Sequence, residues 1–235
     1  MSNTSDKEIE IPHQYIFSQF LSFKVDAAWR RLEQKQREAG RREFSAIAAE
    51  YEKTIATYAY STIGFRADAD FFIWRKGLDP ILMQEMTARL LQTGLGGYCN
   101  PAHSFFGFAR QSTYTKRFTS QEQAIEEENR SAYLVVYPFS KTTDWYLMSK
   151  EARQGMMNEH IRVGHSYADI PQVLLYATGL DDQEFIVAYE TDDLPHFQSL
   201  VIDLRSTEAR RYTLKDTPIL TGVHRSIEAT LELLG

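Results

Sequence analysis

The chain has 235 residues, a net charge of −6 and a hydrophobic share of 43%, with 14 Phe and 13 Tyr. That length suits one large domain or two small ones, with ample apolar material for a buried core. The acidic balance excludes a nucleic-acid footprint, which asks for clustered Lys and Arg; the single cysteine, Cys99, excludes an internal disulfide and fits a reducing compartment.

The opening stretch MSNTSDKEIEIPHQ is polar and acidic, lacks the basic start and apolar core of a secretory signal, and is expected to be a loose tail as far as Pro12. No apolar run approaches the roughly 18 residues that span a bilayer, so the expectation is a cytoplasmic globular protein. Tyr15 to Val25, rich in Phe, Tyr and Ile, predicts a strand. Ala27 to Thr54 has apolar positions at helical spacing and predicts one or two helices, broken near Gly40. Thr57 to Gly64 and Asp68 to Trp74 read as strands joined by a turn at Arg66-Ala67. Asp79-Pro80 opens a helix to Leu91, because Asp caps a helix start and Pro suits its first turn.

Gly94 to Arg117 predicts an irregular loop followed by a strand, and the polar run TSQEQAIEEENR predicts a connector. Ser131 to Phe139 reads as a strand, Ser149 to Gly164 as a helix, Val173 to Thr178 and Phe185 to Glu190 as strands, and Asp193 to Leu204 as a helix.

An internal repeat organises these elements. STIGFRADADFFIWRKGLDPILMQEMTARLL resembles YATGLDDQEFIVAYETDDLPHFQSLVIDLR, with Gly64 matching Gly179 and Phe71-Phe72-Ile73 matching Phe185-Ile186-Val187. A period of about 115 residues is too long for a solenoid and suggests a duplicated β-α-β-β-α-β unit. The plain alternative is chance similarity between two amphipathic segments. The expected class is α+β, built from duplicated ferredoxin-like halves at 1–118 and 131–235 around the connector 119–130.

No compact catalytic signature is present: no G-x-S-x-G, no GxxxxGK[ST], no paired CxxC and no HExxH. His160 and His165 do not share a helix face, which argues against a metal held between them. His13, His196 and His224 lie in polar segments that read as exposed, and His103 sits in a predicted loop. Tyr137 shares a strand face with Val135 and Phe139, so its plain reading is a core tyrosine whose hydroxyl needs a partner. Lys141 ends that strand and reads by itself as a solvated cation.

The stretch YPFSKTTDWYLMSKEARQGMMNEH, followed by TGLDDQEF and later by DTPILTG, resembles the chlorite dismutase-like haem family, and within it the coproheme decarboxylase branch. The resemblance is strongest from Ala132 to Gly222. It implies paired ferredoxin-like halves forming a dimeric α+β barrel, haem bound in the C-terminal half, and a homo-oligomer, usually a pentamer. It also implies His160 as the proximal iron ligand, with Glu208 as the carboxylate that holds the imidazole. Trp145 falls on an aromatic position near the porphyrin's proximal side. Chlorite dismutases carry a distal arginine at a position that here is Gln172, with Val173 as the alternative occupant. Without that cation, chlorite chemistry is not expected.

Coproheme decarboxylases place a tyrosine in YP-x-S-K with a lysine four residues later, matched here by Tyr137 and Lys141. The implied substrate is iron coproporphyrin III, which is also the redox centre. Hydrogen peroxide is the implied oxidant, a Tyr137 radical the implied agent, and haem b the product after two decarboxylations. Lys141 would hold the reacting carboxylate. Two other readings stay open: a haem-binding carrier or sensor without turnover, and an oxyanion enzyme of the same fold.

Overall fold

A computed structural model describes residues 15–110, 112, 114 and 129–235. The predicted tail, His13 and almost all of the predicted connector lie outside these described residues.

Nine strands form one sheet: β1 (Ile16–Val25), β2 (Ile55–Ser61), β3 (Phe71–Gly77), β4 (Cys99–Ala109), β5 (Tyr133–Lys141), β6 (Gln172–Tyr176), β7 (Phe185–Thr191), β8 (Thr213–Lys215) and β9 (Leu220–Arg225). Their order is β7-β6-β4-β1-β3-β2-β9-β5-β8, and β7 also pairs with β5. That pairing closes eight strands into an antiparallel barrel, with β8 attached outside to the end of β5. Closure removes the unpaired strand edges that an open sheet would present.

Alternation along each strand divides its side chains between two environments. In β1, Phe20 points into the barrel, while Leu21, Phe23 and Val25 point outward. In β5, Leu134 and Val136 point inward, and Val135, Tyr137 and Phe139 outward. The barrel interior is filled by Phe20, Tyr60, Phe72, Trp74, Phe105, Val173, Leu175, Ile186 and Leu220 among others. Arg130 enters it as a buried partner of Glu190 at 3.3 Å, and Tyr60 donates to the same carboxylate at 3.3 Å. The Arg130 guanidinium lies 4.7 Å from the Tyr58 ring centre and 4.8 Å from that of Trp74.

Outside the barrel, α1 (Gln34–Glu50), α2 (Pro80–Leu91) and α6 (Ile227–Glu232) cover the β1 to β4 side through Phe44, Ala48, Met83, Met86, Leu90 and Leu231. On the opposite side α5 (Leu194–Arg205) packs Phe197 and Leu200 against Val135, Val187 and Tyr189. The short α3 (Thr143–Leu147) and α4 (Lys150–His165) complete that side. None of the residues of α4 is fully buried, because its inner face borders a cavity rather than a core.

The repeated stretches adopt the same order of elements. Gly64 and Gly179 both take positive φ, 81° and 79°, where an L side chain is disfavoured. Asp79 accepts a hydrogen bond from the Ile81 amide at 2.8 Å, and Asp193 accepts one from the His196 amide at 3.0 Å. Each caps a helix with proline in its first turn. The β1–β4 strands meet the β5–β9 strands along two short seams. One pairs Phe108 and Ala109 with Tyr176 and Leu175; the other pairs Ala59, Tyr60 and Ser61 with Arg225, His224 and Val223.

Two expectations are corrected. The helix predicted to break near Gly40 runs unbroken from Gln34 to Glu50. Gly40 serves close approach instead: a Cβ there would lie 2.7 Å from the Leu95 backbone nitrogen and 2.9 Å from the Gly94 carbonyl carbon. His103 sits on β4 rather than in a loop, at a register shift opposite Ser22, and its Nε2 lies 3.0 Å from Asp68.

Candidate functional site

A cavity of about 740 Å³ lies between the outer face of β5, β6 and β7 and the helices α4 and α5. Its volume is within the ~300–1,000 Å³ usual for ligand pockets. Strand alternation supplies one wall: Tyr137, Phe139 and Lys141 from β5, Gln172, Leu174 and Tyr176 from β6, and Phe185, Val187 and Tyr189 from β7. The helical repeat supplies the opposite wall, with Arg153, Met157, His160, Ile161 and Gly164 along one face of α4. Ser149 starts that helix by accepting from the Ala152 amide at 3.2 Å.

His160 presents a neutral imidazole. Burial, then the charge of Lys141, lowers its pKa to about 4, so near neutrality it is in the form that binds metals. Its Nδ1 is fully enclosed and, among the described residues, has no hydrogen-bond partner. Glu208 does not reach that nitrogen. Its carboxylate turns to Arg211 at 3.2 Å and is more than half exposed, while its backbone N–H donates to Glu159 at 3.0 Å. The expectation that Glu208 holds the imidazole is therefore not met: the 3₁₀ turn Glu208–Tyr212 puts its backbone, not its carboxylate, against α4.

Tyr137 and Lys141 stand on one face of β5, four residues or about 13 Å apart along the strand. Burial pushes the Tyr137 phenol up to about 12, with the facing Tyr189 phenol pulling the other way, so it keeps its proton. Burial, followed by the nearby charge of Arg210, lowers the Lys141 ammonium to about 8. Its Nζ lies 3.4 Å from the Ala209 carbonyl and 4.6 Å from the Trp145 ring centre. Trp145, on α3, is buried between Tyr114 and Tyr212 and borders the cavity. Gln172 borders the cavity, whereas Val173 is buried inside the barrel. The cavity thus gathers Tyr137, Lys141, His160, Trp145 and Gln172, and leaves Glu208 outside.

Sequence reasoning missed most of the charge in this wall. Among the described residues, Arg110, Lys150, Arg153, Arg205 and Arg210 join Lys141 around the cavity, against the single carboxylate of Asp216. A cluster of cations in a chain of net charge −6 marks a place for an anion. Arg153 also has a fully enclosed Nε with no partner among the described residues. Its position seven residues before His160, two turns along one helix face, was the available signal. Arg205, Arg210 and Asp216 converge from α5, the 3₁₀ turn and the β8–β9 loop, and no local pattern announces them. Among the described residues no group of three or more His, Cys, Asp or Glu is placed to hold a metal, so a bound metal would need to bring most of its own ligands, as a porphyrin does. A neutral enclosed imidazole, aromatic walls and a ring of cations fit an iron porphyrin bearing several carboxylates.

Comparison with known proteins agrees with this chemistry. The family profile described as chlorite dismutase matches residues 34–225. The chain is 35% identical over 170 residues, 72% of its length and 73% of the relative's, to the coproheme decarboxylase of Mycolicibacterium smegmatis. It is 23% identical over 227 residues, 93% of its length and 80% of the relative's, to the chlorite dismutase of Ideonella dechloratans. Among solved structures, chlorite dismutase from Candidatus Nitrospira defluvii in complex with imidazole superposes with a TM-score of 0.85 at 24% identity, covering 93% of this chain and 94% of that one.

Proposed function

The chain belongs to the chlorite dismutase family, and on that footing we propose that it is an oxidoreductase that decarboxylates two propionates of iron coproporphyrin III, with hydrogen peroxide as oxidant, to give haem b. One observation carries this reading: a proton-bearing Tyr137 and a cationic Lys141 line one strand face of the cavity that also holds the neutral His160 imidazole. The relative that shares 35% of its residues over 170 positions is named a coproheme decarboxylase.

For each propionate the balance is R–CH₂CH₂–COO⁻ + H₂O₂ + H⁺ → R–CH=CH₂ + CO₂ + 2 H₂O. Bound iron porphyrin supplies the redox chemistry with peroxide. His160 holds the iron from α4, and its lack of a carboxylate partner leaves it a less basic ligand than one so supported. Tyr137 gives up an electron and its phenolic proton, then takes a hydrogen atom from the propionate β-carbon; a second electron passes from the substrate to the peroxide-derived oxidant as carbon dioxide leaves and the vinyl double bond forms, which makes up the two electrons each peroxide accepts. Lys141 holds the reacting carboxylate by a charge-assisted hydrogen bond and supports proton movement. Trp145 packs beneath the Lys141 ammonium and fixes where it points. Gln172, with its side-chain amide, is a polar group of β6 in the cavity wall that is available to a peroxide oxygen.

An oxyanion-degrading role asks for a cation where Gln172 stands. Among the described residues, Arg110 is the arginine on the strand side, and it stacks on Tyr176 at 4.0 Å, four residues or about 13 Å along β6 from Gln172. That separation favours the decarboxylase. A homo-oligomer, pentameric by resemblance, a cytoplasmic location and a division into halves at 119–130 belong to the same reading. Among the described residues no helix is long and apolar enough to cross a membrane.

The test is to titrate peroxide into the protein with ferric coproporphyrin III and follow products by mass spectrometry. Two successive losses of carbon dioxide and two hydrogens are expected, and neither in Tyr137→Phe. Binding without mass loss refutes the decarboxylase and leaves a carrier.

A further inference from the structure

Decarboxylation removes negative charge from beside the cations that bound it. Each propionate that becomes a vinyl group leaves its cationic partner facing an apolar substituent, and a cation left unpaired in a partly enclosed site is costly. The cavity wall contains a carboxylate placed to meet that cost. A single oxygen of Asp216, Oδ2, lies 2.6 Å from Arg210 Nη1 and 3.3 Å from Arg205 Nη2. All three side chains border the cavity, and Asp216 is the least exposed of them, at 18% against 36% and 50%. The trio acts electrostatically on Tyr137, and Arg210 acts on Lys141. It lines the same cavity as the groups assigned to the reacting propionate.

We propose that Asp216 is a resident counter-ion that sets the balance between the tetracarboxylate substrate and the dicarboxylate product, by sharing Arg205 and Arg210 with substrate carboxylates and retaining both when those carboxylates are gone. The inference rests on the porphyrin reading of the cavity. Asp216 touches no reacting atom in this account and is a positioning residue. With Asp216 present, a substrate carboxylate displaces an existing ion pair, so its gain is small. The product, lacking that carboxylate, leaves no unpaired guanidinium. Without Asp216, both guanidiniums are free to bind substrate and are stranded by product.

The experiment needs no turnover. Dissociation constants of zinc coproporphyrin III and zinc protoporphyrin IX are measured by fluorescence titration on wild type, Asp216→Asn and Arg210→Gln. In Asp216→Asn the ratio of the dicarboxylate constant to the tetracarboxylate constant should rise about twofold to fivefold. In Arg210→Gln that ratio should fall. Both shifts should shrink in high salt. If Asp216 merely ties its loop to α5, Asp216→Asn weakens both porphyrins alike; an unchanged ratio overturns the inference while leaving the porphyrin reading intact. If Asp216→Asn does not fold, the Arg210→Gln ratio decides: no fall overturns the inference. Failure of wild type to bind either porphyrin overturns the reading of the cavity and this proposal with it.

Discussion

The Lys141 ammonium gives the sharpest quantitative expectation. In the free protein, burial and then the charge of Arg210 lower it from its usual range to about 8. It is thus mostly charged at pH 7, about nine parts in ten, and mostly neutral at pH 9, with about one part in ten still charged. The sign follows from its assigned role, since only the charged amine attracts a carboxylate. The kcat/KM for ferric coproporphyrin III, which reports groups of the free enzyme, should fall about tenfold per pH unit above about 8. A bound carboxylate favours the charged form, so the corresponding limb in kcat should lie at higher pH. Lys141→Arg keeps a cation at every accessible pH and should lose the alkaline limb, although its planar fork is no isostere and its plateau will be lower. Lys141→Gln should lose both the limb and most of the rate. A limb near pH 8 that survives in Lys141→Arg refutes the assignment, because some other group must then carry it.

Three further outcomes are expected. His160→Ala should still take up ferric coproporphyrin III through the cationic wall but lose the iron–imidazole signature in resonance Raman spectra, together with turnover; retention of that signature would falsify the assignment of this histidine as iron ligand. Glu208→Ala should leave that signature unchanged and stability within about 0.5 kcal/mol, because its carboxylate lies on Arg211 and not on the imidazole. Gly40→Ala should destabilise the fold despite alanine's advantage of about 0.5–1 kcal/mol inside a helix. The added Cβ meets backbone at 2.7 and 2.9 Å, an overpacking of about 1–3 kcal/mol, and a net loss of a few degrees in Tm by calorimetry is the check.

Much of the architecture was legible because its signals are local. The Asp-Pro helix starts at Asp79 and near Asp193, the paired glycines Gly64 and Gly179, and the alternation of SAYLVVYPF each act within a few residues. The Tyr137 and Lys141 pairing came from the resemblance of YPFSK to the family motif, because Lys141 lies past the predicted strand end at Phe139. In the structure β5 runs on to Lys141, and a period of two keeps both on one face. What failed depended on partners far along the chain. Gly40 looked like a helix breaker because its reason, the backbone at Gly94 and Leu95, lies more than fifty residues away. Glu208 looked like a partner of His160 because sequence order does not say which way a 3₁₀ turn points its side chains. After Leu204 no periodicity was strong enough to announce β8, β9 or α6, yet this segment supplies Arg210 and Asp216 to the cavity.

The two short seams of the barrel bear on how the protein breathes. Long ladders such as β1–β4 and β5–β7 must open many hydrogen bonds together, whereas among the described residues the Phe108–Ala109 seam has two residue pairs to release. Amides of β6 that face β4, as opposed to those held in its ladder with β7, should therefore exchange with solvent faster than those of β1 or β3, at a free energy well below that of global unfolding. Because β6 also carries Gln172 and Tyr176 into the cavity wall, opening at this seam would loosen that wall and widen the way in for a rigid, planar guest, while the opposite face of the barrel stays closed.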